Sequence, residues 1–346
     1  MRHMWISWSA RLARRCAPVL LSILCAGHSL ALGDETAWSW AGLEILGSRR
    51  VPRSEIERLI PIPLGEAYHQ GDAPFWTEAC AQVKVRFDFA SVDCGDRPLR
   101  VFAGRKAYLI VDIVEKGDEE RMRFREAPSG SVAFGSERML EIAAELSSIT
   151  LKAAMAGRSY NESGRRGYLE YLDAKGENED LGPRVEELAR LVPSHRDNLL
   201  EVLRGERNPE HRQQAANLLN WAGGDLEKLL RRTLTLLDDP DPGVRNNLSR
   251  FMIKFVGQVR SRRLHRRLVD AFIAQIERPS HGDRNKGIYN LLEIAKAMPQ
   301  GPTYLWRGRE PIRYLAENSI LFNVQGPARE LLDLVDKAAA AEPAGS

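Results

Sequence analysis

Three groups of side chains in this sequence have the type and spacing to do chemistry. Arg212, Arg245, Arg284 and Arg329 recur at intervals of 33, 39 and 45 residues, each near the start of an apolar-faced stretch that follows a Pro- or Gly-containing turn. A guanidinium fork fits a carboxylate or phosphate bidentately, so such a row either pairs with acids such as Asp239 across neighbouring units or binds an anionic ligand. A second basic group is denser: Arg260, Arg262, Arg263, Arg266 and Arg267 lie within eight residues. That run has the charge to hold phosphate, lipopolysaccharide or an acidic protein segment, or it is simply a solvated helix face with Leu264 and Leu268 as its anchors. The third group is Cys80 and Cys94, positioned to form a disulfide between a helix and the strand after it, or to remain two separate buried thiols.

Constellations for bond-making chemistry are missing from the sequence. It has no phosphate-cradling Walker loop, no Gly-x-Ser-x-Gly elbow, no His-Glu-x-x-His helix and no dinucleotide fingerprint. His69, His195, His211, His265 and His281 are scattered, and the adjacent acids Glu186 and Glu187 diverge around a helix axis rather than converge. No Cys-x-x-Cys pair or Cys/His cluster points to zinc or a redox centre, so the sequence implies no cofactor and no metal.

The first residues have the three parts of a secretory signal. A basic stretch ends at Arg14 and Arg15, an apolar run extends from Cys16 to Gly27, and Ser29 and Ala31 offer small residues for cleavage after position 31. The apolar run, about 12 residues, is shorter than the roughly 20 of a membrane-spanning helix. Leu24 before Cys25 does not suit a lipoprotein signal, and the residues around Arg14 and Arg15 do not suit a twin-arginine one. Removing 1–31 takes away four arginines, which turns the formal charge of +3 into −1. Net charge therefore gives no argument for nucleic acid or an anionic membrane. Export also leaves only Cys80 and Cys94, in an oxidising compartment.

At 346 residues the chain predicts two domains. In the first, over 38–118, Gly42 to Gly47 alternates like a half-buried strand. Val51, Pro52, Arg53 and Ser54 start a helix with Ile56, Leu59 and Ile60 on one face, which Pro61 and Pro63 end. A second helix is expected from Pro74 to Val85, then strands from Phe87 to Cys94 and from Lys106 to Val114, the last with Leu109, Val111 and Ile113 on one face. Residues 119–135 have the charged and Ala-Pro-Ser-Gly composition of a linker. From 136 to 340 the apolar spacing is helical, most clearly over 183–340, and 341–346 reads as a disordered tail.

Two resemblances follow from these patterns. The order strand, helix, helix, strand, strand, with Leu43 to Ser48, Val51, Pro52 and Ile56, the Gly65 to Tyr68 loop, Phe89, Val92, Cys94 and the strand ending at Glu115, resembles the polypeptide-transport-associated (POTRA) domain; another small α+β module is the alternative. Ser48, where that family often has Asn, and the Arg-rich stretch from Arg97 to Arg105 depart from the pattern. Asp241-Pro242-Gly243-Val244-Arg245 is similar to the turn before the second helix of a HEAT repeat, and the copies at Asn208, Arg284 and Pro327 match in part. The expected fold is therefore an α+β N-terminal module joined to an all-α HEAT-like solenoid.

What the resemblance implies is adaptor work outside the cytoplasmic membrane, with an extended segment added to an exposed sheet edge. The expectation is an exported, monomeric, non-enzymatic scaffold, periplasmic or secreted. Its partners would be envelope proteins such as a membrane or secretion component, with no nucleic acid and no membrane-spanning segment in the mature chain. The competing expectation is a ligand-binding or catalytic protein with a pocket between the solenoid and the 136–174 helices.

Overall fold

The computed structural model describes residues 38–68, 76–101, 104–155, 160–161, 170–171, 181–298 and 301–341. The expected signal peptide and the tail beyond 341 lie outside them. Strand β1 (Trp38–Leu46) is followed by α1 (Arg53–Glu57), α2 (Trp76–Phe87), β2 (Ser91–Val101) and β3 (Gly104–Val114). The three strands form one sheet in the order β1-β3-β2, with β1 parallel and β2 antiparallel to the central β3. Alternation then sorts β3 into two faces. Ala107, Leu109, Val111 and Ile113 are buried with Ile56, Ile60, Cys80, Val83 and Phe89 under the short helices. Ile110, Asp112 and Val114, on the other face, are equally buried, which explains why this strand reads as an almost unbroken apolar run.

Cys80 on α2 and Cys94 on β2 form the expected disulfide, with Cα atoms 6.6 Å apart. Closing so short a loop stabilises a fold by about 3 kcal/mol in the chain-entropy model. Two expected boundaries shift. Phe87 ends α2 instead of opening a strand, because Asp88 takes a positive φ of 54° and turns the chain before Ser91. In the Arg-rich stretch, residues 97–101 are the far half of β2 and residues 104–105 the start of β3, in register from Arg97↔Tyr108 to Val101↔Gly104.

The rest of the described chain is mainly helical: α3 (Glu137–Met155), α4 (Leu181–Leu191), α5 (Arg196–Gly205), α6 (Pro209–Leu218), α7 (Leu226–Leu234), α8 (Pro242–Ile253), α9 (Arg262–Glu277), α10 (His281–Ala297), α11 (Gly301–Tyr304), α12 (Arg309–Asn318) and α13 (Phe322–Ala341). A two-residue antiparallel pair, Tyr160–Asn161 with Glu170–Tyr171, interrupts the stretch expected to be wholly helical. Side-chain caps set the helix starts. Asn208 accepts from Glu210 N, Asp225 from Lys228 N, Asp241 from Val244 N, Ser261 from Leu264 N and Ser280 from Asp283 N, each satisfying a donor that the first turn leaves free. Among the described residues no helix is long and apolar enough to cross a membrane.

The two parts share a buried boundary. Leu46 at the end of β1 belongs to the helical core. Gly42 lets the strand approach the turn before α13, since a Cβ there would lie 2.9 Å from the Ile320 side chain. Gly47, at φ +94°, has no alternative, because a Cβ would fall 2.0 Å from the Ile113 carbonyl oxygen. The segment 119–135, whose composition reads as a free linker, instead lies along the helix starts. Arg125 N donates to Asp238 O, Arg207 N to Gly130 O, Val132 N to Glu206 Oε2, and Gly135 N to Asn198 Oδ1. Its polar backbone is satisfied by donors and acceptors on the helical layer, which composition alone does not reveal.

Candidate functional site

The recurrent arginines owe their geometry to helix starts. Arg212, Arg245 and Arg284 are each the fourth residue of a helix, α6, α8 and α10. Side chains there lean back toward the N-terminus, so the guanidinium returns to the turn before the helix. Nη1 of each donates to the carbonyl six residues back: Arg212 to Glu206 O at 2.9 Å, Arg245 to Asp239 O at 2.8 Å, and Arg284 to Arg278 O at 3.2 Å. The Nε and Nη2 edge of the first two then reaches the next unit. Arg212 grips Asp239 at 3.1 and 2.9 Å, and Arg245 grips Asp283 at 3.0 and 2.7 Å. All four side chains are buried. Arg125, from the 119–135 segment, also donates to Asp239. Although burial raises this carboxyl, the bonds from Arg212 and Arg125 hold it below its ordinary value.

The position three residues before each helix carries the ladder onward. It is Glu206 before α6, Asp239 before α8, Arg278 before α10 and Ser319 before α13. Glu206, Asp239 and Ser319 each accept the backbone N–H two residues on, from Asn208, Asp241 and Leu321. Arg278 pairs with Asp238. Phe124 lies against the guanidiniums of Arg245, 4.3 Å from its ring centroid, and Arg278, at 5.2 Å, a contact that fastens the 119–135 segment. Ser319 carries no charge, so the unit after Arg284 lacks a carboxylate of its own.

The sheet supplies it. Asp112 on β3 pairs with Arg284 Nη1 at 2.5 Å. Glu44 on β1, which is wholly buried, accepts from Ser319 Oγ and from Ile320 N. The fourth turn of the ladder is thus completed across the boundary between the two parts of the chain. Against burial, which would lower it, the carboxylates of Asp112 and Glu44 keep Arg284 firmly protonated. Burial pushes both carboxyls above their ordinary values, opposed by Arg284 in each case. Asp112 makes the direct contact with Arg284, and Glu44 is held by Ser319 and Ile320.

Arg329 does not join the ladder. It is the eighth residue of α13, exposed, and its Nε donates to Ala316 O; the fourth residue of that helix is Gln325. Counting from one arginine to the next put it one turn too late. The five arginines of the basic run are all exposed. Glu227 Oε1 accepts the backbone N–H groups of Arg260 and Ser261, Arg266 lies 5.3 Å from the Tyr304 ring centroid, and His265, within the run, is wholly buried beside Val256 O. Sequence reasoning passed over Glu44 and Asp112. Their one signal is a carboxylate set inside an apolar strand, as in Leu109-Ile110-Val111-Asp112-Ile113-Val114. Among the described residues no group of three or more His, Cys, Asp or Glu side chains is arranged to hold a metal ion.

Two outcomes follow. Arg245→Ala takes from buried Asp283 its hydrogen-bonded cation, leaving only Arg278 at 3.9 Å, and should cost about 3 kcal/mol in denaturant unfolding, whereas Arg329→Ala should stay within about 0.5 kcal/mol. Glu44 has a raised folded-state pKa, so its contribution to stability is complete below the ordinary carboxyl value and is lost as pH rises through the folded one. Melting temperatures measured from about pH 5 to 8 should therefore fall in the native protein relative to Glu44→Gln, and parallel profiles would show that Glu44 holds no extra proton. Family models, curated proteins and solved structures offer no match to this chain, so its function is argued from this geometry alone.

Proposed function

We propose that the chain is an exported, non-enzymatic adaptor whose N-terminal POTRA-like module binds an extended segment of an envelope protein and whose HEAT-like helical layer carries that module rigidly. The observation that supports this reading most directly is the difference between the two sheet edges. The outer edge of β1 is strapped by the 65–68 segment, through Trp40 N to Glu66 O, Gly65 N to Trp40 O and Tyr68 N to Trp38 O. The outer edge of β2 has no strand against it among the described residues. Eleven residues of β2 run along it, longer than the usual strand of five or six, and unpaired edges of this kind accept an added strand.

Pro98 fixes which groups face outward. Proline has no N–H, so within a sheet it fits where that N–H would point away from the partner strand. Antiparallel parity then turns the backbone groups of Val92, Cys94 and Asp96 outward as well. The disulfide at Cys94 stiffens this edge and suits an oxidising compartment. A rigid, pre-ordered edge loses little entropy on strand addition. The helical layer is monomeric in this reading, and the Arg–Asp ladder within it is structural.

Gly95 is exposed and a Cβ there meets nothing within 4 Å, so a photoreactive residue can replace it. In the envelope fraction it should form an adduct with a protein partner, and Asp96→Pro, which removes one outward N–H, should abolish that adduct while the Cys80–Cys94 bridge persists. An adduct unchanged by Asp96→Pro would contradict strand addition at β2, and no adduct at Gly95 would contradict the adaptor reading.

A further inference from the structure

Three guanidinium groups line one cavity of about 330 Å³ between the end of β1 and helices α9, α10 and α12: those of Arg49, Arg121 and Arg284. Of the three, Arg284 is paired with Asp112. Arg121 donates to Glu277 O and Ile113 O, backbone carbonyls only, and no ion pair of Arg121 or Arg49 with a carboxylate side chain forms among the described residues. Burial, then the neighbouring Arg284 and Arg49, pull the Arg121 pKa down, with Asp118 opposing. Of the acids on the wall, Glu277 is pushed up by burial against the opposing pull of Arg121 and Arg49, and Glu310 is bound to Arg313 at 2.7 Å.

Arg284 supplies the second, independent observation. In Arg212 and Arg245 the Nε and Nη2 edge grips a carboxylate. The same two atoms of Arg284, a side chain 3% exposed, are buried and have no hydrogen-bond partner. Nearby, Tyr314 Oη accepts from Gly47 N at 2.8 Å, which leaves its hydroxyl hydrogen to donate into the cavity.

We infer that this cavity binds a small ligand presenting a phosphate or carboxylate group, gripped by Arg121 and Arg49 beside the buried charge of Arg284, and hydrogen-bonded by Tyr314 Oη. Charge-assisted, bidentate arginine contacts are the strongest means of holding such an oxyanion, and the cavity is of the size that takes a small molecule. The site does not involve the β2 edge, so it stands or falls apart from the adaptor reading.

The test is calorimetric titration of the full mature chain with inorganic phosphate and, separately, with succinate, at ionic strength matched by sodium chloride. At least one should bind saturably at one site per chain, phosphate alone marking a phosphate ligand and succinate alone a carboxylate. Arg49→Gln, at an exposed position, should weaken that binding about tenfold, Arg121→Gln at least as much, and Arg263→Gln in the basic run should leave it unchanged. Absence of saturable binding by either anion, binding indifferent to Arg49→Gln and Arg121→Gln, or loss of binding in Arg263→Gln would each overturn the assignment.

Discussion

A guanidinium taken fully out of water costs several kcal/mol unless its charge is met and its N–H groups find acceptors. Arg284 is in that position, and the chain supplies its counter-charge and an acceptor for Nη1 from distant stretches of sequence, while Nε and Nη2 have no partner among the described residues. The backbone carbonyl of Arg278 comes from the turn before its own helix, Asp112 from the central strand, and Glu44 from β1 by way of Ser319. This cluster crosses the boundary between sheet and helices beside the apolar contact made by Leu46. Hydrophobic burial is tolerant of sliding, whereas a buried ion pair fixes one register.

The same constraint explains the regular part of the helical layer. A turn, a capping residue and an arginine at the fourth helical position make a unit that caps its own loop carbonyls and reaches an acid in the next unit. The guanidiniums of Arg212 and Arg245 are thus satisfied only when the following turn or helix is in place. The series ends where Ser319 replaces an acid, and there the sheet, not another helix, provides the partner. The 119–135 segment then runs back along the row, adding Arg125 to Asp239 and Phe124 to Arg245 and Arg278.

Much of this was legible from residue types. The strand-helix-helix-strand-strand order, the helical remainder, the Cys80–Cys94 bridge and the pairing of Arg212 with Asp239 all follow from local patterns with a physical cause. Asp112 and Glu44 were hidden because period-two alternation assigns one face of a strand to the core and leaves the other to water; only the three-dimensional docking shows that both faces are covered. Arg329 misled because spacing was counted between like residues instead of from helix starts. The 119–135 segment misled because its small and polar residues match a flexible linker, while its order comes from acceptors such as Glu206 and Asn198 on a surface far away in sequence.

Arg284 joins the sheet to the helices, and hydrogen exchange read by mass spectrometry on Arg284→Met tests that most directly. Removing the cation should expose amides on both sides of the boundary, in β1 and β3 and in the Ser319 to Leu321 turn, while the Arg212 and Arg245 units keep their protection. Protection of β1 and β3 equal to that of the native protein, with exchange rising only within α10, would contradict it.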